Sequence, residues 1–243
     1  MFVKSTVKYI QSLSHKKQRD TDGVFIAEGP KLVEELLSVA TVTPREIFAT
    51  AEWASAHSKY KECISVIDDV SLSRISSLST PNQVLALFTK PVFGQAFQPG
   101  QKLSLLLDAI QDPGNLGTII RTADWFGIDH IFCSPETADQ YNPKVVQSTM
   151  GSISRVQVHY TDLTTLIDSF PGEPVFAAAL GGKDLYEVKA PSHGFLIIGN
   201  ESKGISQELL LKASTKITIP GKGRVESLNA SVAAAIILAA WTH

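Results

Sequence analysis

Three short stretches after residue 110 gather the residue types best able to do chemistry: DPGNLGTIIRTAD (112–124), LIIGNESKGIS (196–206) and IPGKGRVESLNASVAAAIILA (219–239). Each joins an apolar run, through a polar turn, to a helical pattern. Asn115, Arg121, Glu201, Ser227 and Asn229 therefore fall where strands end and helices begin, and open α/β sheets bind ligands at the carboxyl ends of their strands. Asn115 follows the turn-forming Pro113-Gly114 and suits a helix cap. Arg121 follows Ile119 and Ile120 in a helix of mostly small or apolar residues. A guanidinium there must snorkel to water, pair with a buried acid or hold an anion. Glu201 sits at a strand end, where it either complements a helix dipole or faces a polar ligand. Ser227 reads as the N-cap of the last helix. Leu228–Ala240 is apolar almost all round, which predicts burial beneath other elements or between subunits. Asn229, in its first turn, then needs a partner, because an unpaired buried amide costs ~1–3 kcal/mol.

Several other chemistries are excluded. No GxxxxGK[ST] or GxGxxG phosphate loop occurs, and GNESKG lacks the central serine of a GxSxG nucleophile elbow. Cys63 and Cys133 form no CxxC, so neither zinc, nor any other metal, nor a disulfide framework is expected, and a reducing cytoplasm is. The start, MFVKSTVKYIQSL, is too polar for a secretory signal. The longest apolar run, ASVAAAIILAA, falls short of the ~18–20 residues that cross a bilayer, so no membrane association is expected. Net charge is −2, but the first 19 residues hold Lys4, Lys8, Lys16, Lys17 and Arg19 and no acid. An anionic partner should be met there, with Lys16, Lys17 and Arg19 as candidate contacts.

The elements that must position these residues fall into two α/β series. VFIA (24–27), the amphipathic PKLVEELL, REIFAT, ISVID and VLALFTK suggest a small α/β domain over residues 1–90. KPVFGQAFQPGQK (90–102) has no periodicity and two prolines, so residues 91–102 read as a linker. The series LSLLLD, HIFC, RVQVH, VFAAAL, FLIIG and KITIP alternates with helices about 115, 143–149, 162–169, from Ser206 and at the end, giving a second domain over 103–243. LSLLL and FLIIG are apolar at nearly every position, as parallel strands covered on both faces are.

In order, Asn115-x-Gly117-x-x-x-Arg121, Gly199-Asn-Glu201-x-x-Gly204 and Ile219-Pro220 followed by Ser227-Leu-Asn229 resemble the three motifs of the SpoU (TrmH-like) RNA 2′-O-ribose methyltransferases, within the SPOUT superfamily. The resemblance is strong over residues 103–240, while HKKQRDTDGVFIAEGPKLVEELL looks, more weakly, like the small substrate-binding domain that precedes it in many members. It implies an α/β fold with a parallel sheet, a deep C-terminal trefoil knot and homodimers with the site near the interface. It also implies S-adenosylmethionine contacted near Leu180, Gly181, Gly199, Ile219 and Leu228, and rRNA or tRNA as substrate. By the same resemblance Arg121 is the family's essential arginine, sometimes proposed as the base. A guanidinium is a poor base, so Arg121 is expected to hold the nucleotide's phosphate, with Asn115 and Ser227 orienting the ribose or the phosphate and Glu201 and Asn229 holding the knot loops and Arg121 in place. Lys203 departs from the common pattern and is either a phosphate contact or solvated. Three competing readings are a non-catalytic RNA-binding protein on this fold, a SPOUT enzyme methylating a base, and a small-molecule α/β enzyme. Intact motif residues argue against the first, the Asn…Arg segment together with SLN against the second, and the basic N-terminus against the third.

Overall fold

The computed structural model describes residues 4–94 and 96–242. Two compact units emerge: the chain up to Phe93 with Asp139–Ser154, and Gly94–Ala138 with Arg155 to the end.

The first unit contains α1 (Lys4–Ser12), α2 (Lys16–Asp22), β1 (Val24–Glu28), α3 (Pro30–Leu37), β2 (Pro44–Ala49), α4 (Ala51–Ala56), β3 (Ile64–Val66), α5 (Asp69–Ile75) and β4 (Val84–Thr89). Its sheet runs β1-β4-β2-β3, with only β2 and β3 parallel. β1 is buried at every position because both faces are covered. Phe25 and Ala27 pack with Leu32, Val33 and Leu36 of α3, whereas Val24 and Ile26 pack with Ile10 and Leu13 on the other side and with Leu72 and Ile75 of α5. Residues 139–154, which the sequence placed in the second domain, cluster here: Val146 and Ile153 join the Phe25 core. The basic N-terminus forms α1 and α2. Its Arg19 is 2% exposed, donates to the carbonyls of Leu13 (2.7 Å) and Ser14 (2.8 Å), and pairs with Asp139 at 2.5 Å.

The second unit begins at Gly94, within the 91–102 segment, whose described residues form no helix or strand. That segment is nonetheless anchored, because Phe97 packs edge-on against Phe132 and Phe170. There follow β5 (Leu103–Asp108), α6 (Pro113–Trp125) and β6 (His130–Cys133). After α7 (Pro143–Thr149), which belongs to the first unit, come β7 (Gln157–Tyr160), α8 (Leu163–Ser169), β8 (Val175–Asp184), β9 (Gly194–Gly199), α9 (Gln207–Lys212), β10 (Thr215–Thr218) and α10 (Ala230–Trp241). The six strands are parallel in the order β10-β8-β9-β5-β6-β7. β5 and β9, the two most apolar runs, lie inside the sheet and are nearly wholly buried, Ser104 included. Chain order reverses beside β5, whose neighbours are β9 and β6. The loops at the carboxyl ends of β5, β8, β9 and β10 therefore share one edge, where a site belongs.

Candidate active site

Asp112, not Asn115, caps α6: its carboxylate accepts the Asn115 N–H at 2.9 Å. The Asn115 side chain is thereby free to reach elsewhere. Its amide nitrogen donates to Glu201 Oε1, and its oxygen accepts from Asn229 Nδ2 at 3.0 Å and Ser231 Oγ at 3.4 Å. One amide thus joins the turn after β5, the turn after β9 and the start of α10. Asn229, rather than Ser227, caps α10, with Oδ1 accepting from Ser231 N (2.9 Å) and Val232 N (3.3 Å). Ser227 and Leu228 precede the helix in an exposed stretch, 220–229, without regular structure. α10 is not buried all round either: Ala234, Ile237 and Leu238 are covered, but Val232 is 46% exposed.

Arg121 is exposed on α6 and has no ion pair among the described residues. It shares the open stripe of the helix with Thr118 and Trp125, at i−3 and i+4. Neither snorkelling under cover nor a buried acid accounts for it, which leaves a free cation able to meet an anion. Lys203, in the turn after β9, is also exposed, and its backbone N–H donates to Asn200 Oδ1 at 3.1 Å.

The β8–β10 ladder has a wide irregularity. Lys216 pairs with Ala177, but the next residue, Ile217, pairs with Lys183, so residues 178–182 bulge from the sheet. Thr218 clamps this bulge: Oγ1 accepts from Gly182 N (2.7 Å) and donates to Ala179 O (2.6 Å). Leu180 is 73% exposed on it, and Gly181 has φ +73° with open space where a Cβ would stand. At the end of β9, a Cβ on Gly199 would come within 2.4 Å of the Gly204 and Ile205 backbone, so only glycine lets that turn close. Ile219 follows β10 and is half-buried, and Leu228 is 42% exposed. Open backbone at a glycine bulge beside exposed leucines offers main-chain groups and apolar contact to a ligand.

One of the three candidate contacts in the basic N-terminus lies differently from expectation. Arg19 is not an open RNA contact, because its guanidinium is consumed by Asp139 and two carbonyls within the first unit. Lys16 is exposed and paired with Asp20 (2.5 Å), and Lys17 is exposed. The sequence reasoning missed Ser231 and Thr218. Ser231 was legible only as a polar interruption two residues after Asn229, and Thr218 looked like an ordinary strand residue. Among the described residues there is no group of three or more His, Cys, Asp or Glu able to hold a metal, and no helix long and apolar enough to cross a membrane.

A parallel sheet whose carboxyl edge carries a glycine bulge, together with a GNE turn and an SLN segment that Asn115 links, is in this chain that of an S-adenosylmethionine-dependent RNA 2′-O-methyltransferase. Residues 102–239 match the SpoU rRNA methylase family, and residues 4–86 match the MRM3-like substrate binding domain. The chain belongs to the SpoU rRNA methylase family. It is 35% identical over 237 residues to the 23S rRNA (guanosine(2553)-2′-O)-methyltransferase RlmP of Bacillus subtilis, covering 96% of this chain and 94% of the relative. Among solved structures it is similar to a TrmH-family protein from Porphyromonas gingivalis (37% identity, TM-score 0.86, 99% of this chain and 98% of that one). It is also similar to an AdoMet-bound rRNA methyltransferase from Sinorhizobium meliloti (30% identity, TM-score 0.86, 99% and 95%).

Proposed function

We propose that this enzyme methylates the ribose 2′-hydroxyl of a guanosine in 23S rRNA, in the cytoplasm and as a homodimer. The observation that carries the site reading is the Glu201–Asn115–Asn229 hydrogen-bonded set, which unites the three motif segments. The RNA target rests on the relative that matches over nearly the whole of both chains. Leu180, Gly181, Gly199, Ile219 and Leu228 would hold S-adenosylmethionine, with the C-terminal segment knotted around it. When bound, the cofactor supplies a sulfonium-activated methyl group.

The residues of this chain then have little covalent work and mainly position the hydroxyl. Arg121 is a poor base, since a guanidinium offers N–H donors and no acceptor. Its role is to hold the target nucleotide's phosphate, so that the 2′-hydroxyl is aligned and a phosphate oxygen or water takes the proton. Asn115 and Ser227 orient the ribose or its phosphate. Glu201 and Asn229 fix the amide of Asn115, so its orientation is set before RNA arrives. Lys16, Lys17 and Lys203 are available to RNA phosphates. Trp125 at the end of α6 and Val232 on α10 expose apolar surface that a second copy would cover.

The test is methyl transfer from labelled S-adenosylmethionine to 23S rRNA from cells lacking the enzyme, followed by nucleoside analysis. A 2′-O-methylguanosine whose formation falls at least about a hundredfold in Arg121→Ala is expected. A methylated base, or an unimpaired Arg121→Ala, would overturn the reading.

A further inference from the structure

Asn200, the middle residue of the GNE turn, holds together two loops that carry the reacting groups, though it belongs to neither the cofactor nor the RNA contacts described above. Its side-chain oxygen accepts from Ser202 N (2.9 Å) and Lys203 N (3.1 Å), closing its own turn. Its side-chain nitrogen donates to the carbonyl of Ala109 at 2.8 Å, across from β9 to the turn after β5. The amide can point only one way, because a flip would set its N–H groups against two backbone donors and its oxygen against a carbonyl.

Ala109 is itself unusual, a non-glycine residue at φ +54°. That left-handed conformation is disfavoured for alanine and persists only where neighbours hold it. Three groups do so. Ser134 Oγ accepts the Ala109 N–H (2.9 Å), Asn200 takes its carbonyl, and Ala138 N–H donates to the carbonyl of Ile110 (2.9 Å). Next to it, Asp108 Oδ2 accepts Ser206 N at 2.7 Å, a second link between the same two loops. This turn leads directly into Asp112, Asn115 and Arg121, so its conformation sets where α6 begins.

We infer that Asn200 is a positioning residue for methyl transfer: through the Ala109 carbonyl it fixes the start of α6, and with it Asn115 and Arg121, against the Glu201 turn. The inference rests on the roles proposed for Asn115 and Arg121.

Asn200→Asp separates the two halves of the amide. A carboxylate still accepts from Ser202 and Lys203, but it no longer donates to Ala109 and repels its carbonyl. Turnover with 23S rRNA should fall tenfold or more in kcat. KM for RNA and the Kd of S-adenosylmethionine, measured by calorimetry, should stay within about threefold. Asn200→Ala, which also opens the GNE turn, should lower kcat further and weaken cofactor binding. Arg121→Ala is assayed alongside. If it loses turnover while Asn200→Asp keeps kcat within threefold of wild type, the inference fails and the site reading stands. If Asn200→Asp instead loses cofactor binding and thermal stability with kcat per folded molecule unchanged, Asn200 is merely structural and the inference fails as well. If Arg121→Ala keeps its turnover, the site reading fails and takes the inference with it.

Discussion

Asp139→Asn removes one negative charge from beside a guanidinium that is 2% exposed, with almost no change of shape. Arg19 keeps its bonds to the Leu13 and Ser14 carbonyls, and the asparagine oxygen can still accept one N–H. What is lost is the neutralising charge. Removing one partner of a buried pair typically costs ~3–5 kcal/mol. The one N–H that the asparagine oxygen still accepts is worth about 0.5–1.5 kcal/mol, which brings the expectation down to about 2–4 kcal/mol. In a unit of about 110 residues that corresponds to a fall of roughly 10–20 °C in its melting temperature. Because the chain has two units, a single global transition is a poor readout. Hydrogen exchange followed by mass spectrometry localises the effect, and protection should drop across α1, α2, β1 and residues 139–154. RNA affinity at a temperature where the variant is folded should be unchanged. If Arg19 were a phosphate contact, freeing it from Asp139 would tighten RNA binding and leave exchange unaltered. That result, or a loss below about 0.5 kcal/mol, would refute the structural role.

Gly199→Ala drives a Cβ to 2.4 Å from the Gly204 and Ile205 backbone, so the GNE turn must shift. S-adenosylmethionine affinity should fall at least about tenfold by calorimetry, well over 1 kcal/mol, and an unchanged Kd would detach that turn from the cofactor site. His130 and His159 touch through Nδ1 and Nε2 at 3.2 Å, and burial holds both below the usual imidazole value. As pH falls through that value, about 6.5, the unfolded chain takes up protons first. Stability conferred by the neutral rings is present above it and is lost on acidification down through the folded-state values. The urea midpoint of the second unit should therefore fall on acidification, and His159→Gln should flatten that slope.

The sequence revealed most where one residue type has few alternatives. LSLLLD and FLIIG read as strands covered on both faces, and they are the adjacent central strands β5 and β9. The motif residues were found by type and spacing, but their hydrogen-bond partners were not. Asp112 and Asn115 both suit a cap, and which one acts depends on the Pro113 start of α6, a matter of one turn of backbone. Ser227 and Asn229 pose the same choice two residues apart, and Asn229 prevails as the residue that reaches Ser231 N and Val232 N. Arg19 looked like part of a basic tract because tract composition says nothing of Asp139, 120 residues away. The assignment of 139–154 to the first unit is likewise tertiary. Val146 and Ile153 are ordinary apolar residues of the second series until the Phe25 core gathers them.

Asn115 could not be exchanged for either of its near relatives, and the reason is visible in its bonds. It must donate to a carboxylate and accept from an amide at once. Aspartate would set a second negative charge against Glu201 and lose the donor, and serine is too short to reach both sides. Glu201 accepts only, so it fixes which end of the Asn115 amide faces it. Asn229 then has to donate, and its remaining oxygen is the one that caps α10. The direction of every bond in the chain of three therefore follows from the carboxylate at one end. An arrangement so determined is rigid before substrate binds, which is what a reaction carried mainly by alignment requires.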